Sequence, residues 1–546
     1  MTDDARYDAL VARDPRWDGV FFVGVSTTGI YCRPICPART PGRNRCTFYD
    51  TAARAEAAGF RACFRCRPEL APGNADVDAV DQLVAVAAAR IAEGALNDAS
   101  VDDLAGELGV SARHLRRAME ARLGVTPIDL AQSRRLALAK QLLQDTALSL
   151  TEIAFAAGFG SVRRFNAVFM KVMGSAPSKL RRQHIEIDAP VGDALEIRLD
   201  YRAPYDFDGI LRFLRARAIP GVEHVEPGRY RRVVHDGGKH TGIIEVRRHE
   251  AGRNAKRDAL VLAISPSLIP VLMPLVARVR KLFDLDARPD VIGRVLARDR
   301  VLAPLVAATP GLRVPGAIDG FEAAVRALLG QQVSVAAATT LAGRFAAAFG
   351  TPLATKQTPL VVRFPTAREV AARSIDAIAK IGLPGARAAA VHALASAVAS
   401  GRLKLDGVRD LDTFVEDLVA MPGIGPWTAH YLAMRALHLP DAFPAADLGI
   451  RKALDGAGPR DAQARAEAWR PFRSYAVMYL WTSLGGSDAE ADDREVTDRR
   501  AHARRERELA RGAAPAGQRR RTAGGRARDH AAAPARRRSV GRVLRR

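Results

Sequence analysis

Five cysteines, Cys32, Cys36, Cys46, Cys63 and Cys66, fall within 35 residues, and none occurs in the 480 residues that follow. Four of them make two short-spaced pairs, Cys32-x3-Cys36 and Cys63-x2-Cys66, separated by 26 residues. Pairs at this spacing can bring four thiolates onto one tetrahedral Zn²⁺. A module this short has little apolar core, so the metal would supply folding energy. From the spacing alone, a purely structural zinc site is the plainest reading. Cys46 fits neither pair and reads as an ordinary small apolar residue. In a reducing compartment such clusters are metal ligands or reactive thiols rather than disulfides.

The chain of 546 residues is too long for one core and favours several domains. Its formal net charge of +23 points to a polyanionic partner, most simply nucleic acid. The charge is uneven, because residues 499–546 hold 17 arginines against three acids. No apolar run reaches transmembrane length and no cationic-then-apolar leader opens the chain, so a membrane role is excluded and a cytoplasmic protein is expected. Character changes along the sequence divide it into five segments. Residues 1–72 form the cysteine module, with strand-like runs such as Val20–Val25, and a short linker follows. Residues 80–183 read as helices with Ser starts and Gly stops. Residues 190–285 are β-rich. Alternating Ile185-Glu-Ile-Asp and Gly242-Ile-Ile-Glu-Val mark strands there and just before it. Residues 286–486 are helical again. Residues 487–546 are low-complexity Ala/Arg/Gly, expected to be disordered and resembling a high-GC gene read out of frame.

The cysteine module carries more than spacing. Thr27-Thr-Gly-Ile-Tyr-Cys-Arg-Pro-Ile-Cys and Ala58-Gly-Phe-Arg-Ala-Cys-Phe-Arg-Cys-Arg-Pro closely resemble the N-terminal domain of the Ada adaptive-response regulators. The resemblance implies that Cys32 takes a methyl group from a DNA methylphosphotriester, with Cys36, Cys63 and Cys66 completing the shell of one Zn²⁺. It also implies that Thr28, Arg39, Arg61 and Arg65 lie near phosphates. The chemistry is sound, since zinc keeps a thiol ionised and a thiolate is the nucleophile that methyl transfer needs. Four thiolates on Zn²⁺ carry a charge of about −2, and methylating one leaves about −1. Repulsion from DNA therefore falls, which offers an electrostatic switch from sensor to DNA binder.

An internal repeat runs from about residue 100 to 180. Leu104-Ala with Gly109 matches Ile153-Ala with Gly158 at the same spacing. Ser111, Leu115, Gly124 and Pro127 then match Ser161, Phe165, Gly174 and Pro177. Each copy reads helix, Gly-containing turn, Ser-capped helix, the order of a helix-turn-helix. The second helices carry Arg113 and Arg116, then Arg163 and Arg164, residue types that suit base edges and phosphates. An amphipathic bundle with a wet basic face is the alternative reading. The string from Ile153 to Pro177 resembles the AraC family signature and implies a transcription regulator that binds DNA.

The sharpest enzymatic signal is Leu418-Val-Ala-Met-Pro-Gly-Ile-Gly-Pro-Trp-Thr-Ala429. Gly423 and Gly425, between helical runs, predict a tight hairpin whose backbone N–H groups can hold a DNA phosphate. Asp447 follows 22 residues after Gly425. A lone Asp at a helix start is ordinarily an N-cap. Together with Trp469-Arg-Pro-Phe-Arg-Ser-Tyr-Ala-x3-Leu-Trp481, these features resemble the helix–hairpin–helix DNA glycosylases of the 3-methyladenine glycosylase II (AlkA) type. Tyr201-x-Ala-Pro-Tyr-Asp-Phe is similar to the start of that family's β-rich N-terminal domain, and Phe321–Val335 is similar to part of its helical core. The resemblance makes Asp447 catalytic and adds Trp481 to the base site. Trp427 and Tyr431, four apart on one helix face, can grip a cationic alkylated base. Core packing of all three aromatics is the alternative. Gln332 stands where this type inserts an apolar wedge into the gap left by the flipped base, and is expected to touch DNA there.

Three absences refine the expectation. A strand-nicking glycosylase of this type holds a lysine where this chain has Trp427, so base removal without lyase action is expected. With no cysteine after Cys66, neither an iron–sulfur cluster nor a second methyl-accepting cysteine is expected. No second acid is evident, and an alkylated base is already a good leaving group. The expected architecture is multidomain α+β: a small zinc-bound α/β module, an all-α double helix-turn-helix, a β-rich domain, an all-α helix–hairpin–helix domain and a basic tail. The expected function is excision of 3-methyladenine and 7-methylguanine class bases from double-stranded DNA. It is joined to methyl transfer that activates transcription, as a monomer, in the bacterial cytoplasm with the nucleoid, with RNA polymerase as partner. The rival is a transcription regulator whose glycosylase half is only a DNA clamp.

Overall fold

The computed structural model describes residues 1–72, 82–183, 194–249, 258–354, 359–406 and 410–484. The basic tail, the linker after residue 72 and the segment Ile185–Asp188 lie outside them.

The N-terminal module is a four-stranded sheet in the order Cys46–Tyr49, Phe22–Val25, Ile30–Cys32, Arg61–Ala62. Its last pair is parallel, with Ile30 opposite Arg61 and Tyr31 opposite Ala62. That register carries the chain directly into Cys32 on one strand and Cys63 on the other, so strand pairing is what unites the two distant cysteine pairs. Cys46 is buried with Phe21, Val23 and Phe48, as a small apolar residue should be.

Helices dominate residues 82–183. Ser100, Ser111, Ser149 and Ser161 each cap a helix by accepting an N–H three residues on, at Asp103, His114, Glu152 and Arg164. The second helices of the two copies, Ala112–Leu123 and Val162–Met173, end at Gly124 and Gly174 in the left-handed region. Both bury the fourth, eighth and, in the second copy, twelfth residues, leaving the basic face outward.

Next comes a five-stranded antiparallel sheet ordered Leu195–Asp200, Ala259–Ile264, Thr241–Arg248, Arg229–His235, Glu223–Glu226. The expected strand at Gly242–Val246 is part of Thr241–Arg248. A helical domain follows, in which Leu411–Val419 and Pro426–Arg435 are the arms of the hairpin. It has its own core, built from residues such as Phe345, Leu394, Phe414, Leu432, Trp469 and Leu480. Among the described residues no helix is long and apolar enough to cross a membrane.

The sequence reads as separate modules, but the packing joins them. One continuous core takes in Tyr31 and Ala62 of the cysteine module. It continues through Leu142, Phe165 and Phe169 of the helix-turn-helix region to Ile197, Leu262 and Phe283 around the five-stranded sheet. The first helix-turn-helix copy keeps a smaller core of its own. Buried ion pairs follow the same seam. Arg33, 1% exposed, pairs with Asp18 and, at 2.9 Å, with Asp200 at the end of the strand Leu195–Asp200. Lys140 pairs with Glu69 at 2.7 Å and donates to the Cys63 carbonyl at 2.8 Å.

Candidate active site and metal centre

The Sγ atoms of Cys32, Cys36, Cys63 and Cys66 all lie within 4.8 Å of one another, and none of the four is in a disulfide. Ligands about 2.3 Å from a central Zn²⁺ would sit about 3.8 Å apart, so the cluster is of the right size. The donor chemistry also fits. Hydrogen bonding among the thiols holds Cys32 well above the ordinary thiol range, while it pulls Cys36 down to about 7 and Cys63 far below. Burial pushes Cys66 well up. Four such groups cannot all ionise without a cation between them, and zinc would let them. The Arg33 backbone N–H donates to Cys66 Sγ at 3.4 Å, as it would to a thiolate. Cys32 is the ligand with partial exposure, the other three being buried. Access therefore singles out the residue that the resemblance makes the methyl acceptor.

In the same module Thr28, Arg39 and Arg65 are exposed and Arg61 is half-buried. Arg113, Arg116, Arg163 and Arg164 are all exposed on the second helices of the repeat, and Arg113 and Arg163 occupy matching positions.

In the C-terminal half, Asp447 is an N-cap, its Oδ1 accepting from Ile450 N at 2.9 Å. It is much more than a cap. Trp427 Nε1–H donates to Asp447 Oδ2 at 2.8 Å, and Trp481 Nε1–H donates to Oδ1 at 2.9 Å. Both indoles come from helices remote in sequence, Pro426–Arg435 and residues 473–484. Gly449 permits this closeness, since a Cβ there would stand 3.1 Å from both Asp447 Oδ1 and Trp481 Cδ1. The carboxylate is thereby held by three donors in one orientation.

The aromatic residues form one group with it. The Trp427 and Tyr431 rings are near-parallel, 5.5 Å apart at 14°, and Tyr431 and Trp481 lie 6.4 Å apart at 43°. All three are half-buried. A flat π surface and an oriented negative charge thus share one site. A cationic base and a sugar that becomes cationic are the ligands that such a pair suits.

The hairpin turn adjoins it. Gly423 has φ +78°, and a Cβ there would stand 2.7 Å from the Ala390 Cβ, so glycine is required. Gly425 caps the helix that carries Trp427 and Tyr431, with open space where a Cβ would be. Gln331 Nε2–H donates to the Gly423 carbonyl at 2.9 Å and to Thr428 Oγ1 at 3.1 Å, tying a second loop to the turn. Gln332, next along that loop, is exposed at φ +59°, in the left-handed region that non-glycine residues seldom adopt. Sequence reasoning missed the Gln331 brace and the indole donors to Asp447. The pairing of Trp481 with Asp447 is purely tertiary, but Gln331 beside Gln332 was a visible signal.

Matches to known families follow the same division. Residues 5–69 match the metal binding domain of Ada, and 104–183 a helix-turn-helix domain. Residues 196–319 match the AlkA N-terminal domain, and 325–472 the HhH-GPD superfamily of base excision DNA repair proteins. A probable bifunctional transcriptional activator/DNA repair enzyme AlkA from Mycobacterium tuberculosis is 40% identical over 494 residues, 89% of this chain and 97% of its own length. DNA-3-methyladenine glycosylase 2 of Escherichia coli is 37% identical over 296 residues, 54% of this chain and 99% of its own. The bifunctional activator/repair enzyme Ada of E. coli is 42% identical over 127 residues, 23% of this chain and 34% of its own. With a tetracysteine cluster at one end, an aromatic-flanked aspartate at the other and near-complete overlap with the first relative, the chain belongs to the AlkA family of bifunctional transcriptional activators and DNA repair enzymes.

Proposed function

We propose that the chain removes alkylated purines from double-stranded DNA by hydrolysis, with Asp447 as the catalytic carboxylate. It further serves as a damage sensor in which Cys32 accepts a methyl group and thereby activates transcription. The observation that carries the first part is the grip of Trp427 and Trp481 on both oxygens of Asp447, beside the parallel Trp427–Tyr431 pair.

The flipped nucleotide places its base against Trp427, Tyr431 and Trp481 and its sugar toward Asp447. As the N-glycosidic bond breaks, its electron pair leaves with the base, and positive charge grows on the sugar. The oriented carboxylate stabilises that charge and directs a water to the anomeric carbon. Gly423 and Gly425 hold a phosphate of the same strand through the hairpin. Gln332, projecting from its loop, fills the space that the base leaves.

At the other end, zinc keeps the four cysteines ionised when bound. The accessible Cys32 sulfur attacks the methyl carbon of a phosphotriester. The S–C bond forms, the O–C bond breaks, and the phosphate leaves as an ordinary diester anion. Thr28, Arg39, Arg61 and Arg65 position the backbone. Arg113, Arg116, Arg163 and Arg164 engage promoter DNA, and the activated protein, a monomer in the cytoplasm among nucleoid DNA, recruits RNA polymerase. The labour divides among residues 1–72, 80–183, 190–285 and 286–486.

One experiment tests both parts. The protein is incubated with methylated DNA, the free bases are separated by chromatography, and the Cys32 peptide is weighed. We expect free 3-methyladenine and 7-methylguanine and one added methyl on Cys32. Absence of released bases rejects the excision reading, and an unmodified Cys32 peptide rejects methyl transfer.

A further inference from the structure

The aromatic platform has an unusual back wall. Arg435, one helical turn beyond Tyr431, is buried and donates Nη1–H to the Tyr431 hydroxyl oxygen at 3.1 Å. Its other N–H groups go to the carbonyl oxygens of Pro315 and, at 3.1 Å, Gly316. Arg217, from the segment after the helix Phe207–Arg215, lies against the same hydroxyl and donates to the Phe213 carbonyl at 3.3 Å. Both guanidiniums lie over the Phe213 ring, 3.8 Å and 4.6 Å from its centroid. Among the described residues neither has a carboxylate at ion-pair distance. A third cation, Arg326 on the helix Gly320–Leu329, faces the group but is balanced by Glu223 at 3.4 Å. Asp447 is held by the indoles of Trp427 and Trp481.

A buried cation, Arg435, and a half-buried one, Arg217, held close together with no carboxylate at ion-pair distance are costly. The acidic group within reach is the phenol of Tyr431. We propose that Tyr431 is the charge-selective residue of the base site: its proton is released to solvent, the phenolate balances Arg217 and Arg435, and its ring presents an anionic face beside Trp427. Such a face favours a flipped base with fixed positive charge, of the N3- or N7-alkylated purine class, over a neutral lesion. The electrostatics agree. Burial pushes the Tyr431 phenol up, yet Arg435, Arg217 and Arg326 together pull it below the ordinary phenol range. Burial pulls Arg217 down to about 10, although Tyr431 pulls it up. Because a phenol ionises as pH rises, selectivity for cationic bases should grow toward alkaline pH.

This inference rests on the excision reading but fails separately from it. The full-length protein and its Tyr431→Phe and Arg217→Gln variants are compared between about pH 6 and pH 10. One readout is the near-ultraviolet tyrosinate band. The other is kcat/KM for release of 3-methyladenine relative to uncharged hypoxanthine, with circular dichroism to check the fold. We expect the wild-type band to emerge below the pH of free tyrosine and to vanish in Tyr431→Phe. The release ratio should rise with that band by roughly 2- to 30-fold and stay flat in the variant. Arg217→Gln, which keeps the tyrosine, should move both transitions to higher pH. Release of both bases with a flat wild-type ratio would overturn the proposal, as would a band unchanged by Tyr431→Phe. If Tyr431→Phe does not fold, an unmoved transition in Arg217→Gln overturns it. A protein that releases no base at all removes the excision reading and this one with it.

Discussion

Replacing Trp481 by Phe isolates one hydrogen bond in the active site. The change keeps a ring beside Tyr431 and deletes the indole N–H that donates to Asp447 Oδ1 at 2.9 Å. Oδ1 still accepts from Ile450 N at 2.9 Å, so the helix start survives, and Oδ2 still accepts from Trp427. A hydrogen bond to a charged group contributes about 1.5–3 kcal/mol. If that energy serves to aim the carboxylate at the sugar, its loss lowers the rate of bond cleavage about 10- to 150-fold. Binding of DNA depends on the hairpin and should hardly change. Single-turnover release of 3-methyladenine from methylated duplex measures the first quantity, and anisotropy with an abasic duplex measures the second. A cleavage rate within about twofold of wild type would refute the idea that the indole positions Asp447. A proportional loss of binding would refute it too, by showing that Trp481 acts on the site as a whole.

Other outcomes follow from the packing. Arg33→Met removes the buried partner of Asp18 and Asp200 and should cost about 3–5 kcal/mol in urea denaturation, whereas an unchanged midpoint would mean that the seam is not sealed there. Stripping the metal with a chelator should make Cys32, Cys36, Cys63 and Cys66 reactive to a thiol reagent. It should also lower the melting temperature of the joined core, and a melt insensitive to the chelator would contradict the shared packing. Gly423→Ala forces a Cβ into the left-handed region and against Ala390, a strain of about 1–2 kcal/mol that should weaken DNA binding about 5- to 30-fold by anisotropy.

Motifs built from neighbours in the chain were legible from the sequence. The Cys pairs, the Ser-capped repeat and the Gly423–Gly425 turn are local, because spacing and capping are set within a few residues. Trp427 and Tyr431 share a face by helical periodicity, and their stacking follows from it. What the sequence hid was everything that depends on distant segments. Asp447 looks like an ordinary N-cap until the fold brings Trp427 and Trp481 onto it. Nothing in the sequence marks Arg33, which lies between Cys32 and Cys36, as buried, but Asp18 and Asp200 both pair with it in the interior. Character changes along the chain suggested independent modules. The apolar faces of the cysteine module, the second helix-turn-helix and the five-stranded sheet are instead buried on one another. Periodicity reveals that a face is apolar and says nothing about which neighbour will cover it.

The central claim is that one carboxylate, Asp447, performs the chemistry of the C-terminal half. Asp447→Asn keeps the size of the side chain and an oxygen for the N-cap, but removes the negative charge. Single-turnover base release by this variant, at protein concentrations that saturate the DNA, is the direct measurement. We expect a loss of at least about 100-fold with DNA affinity retained. Release at the wild-type rate would contradict the account, and release by neither protein would leave the glycosylase half a DNA clamp.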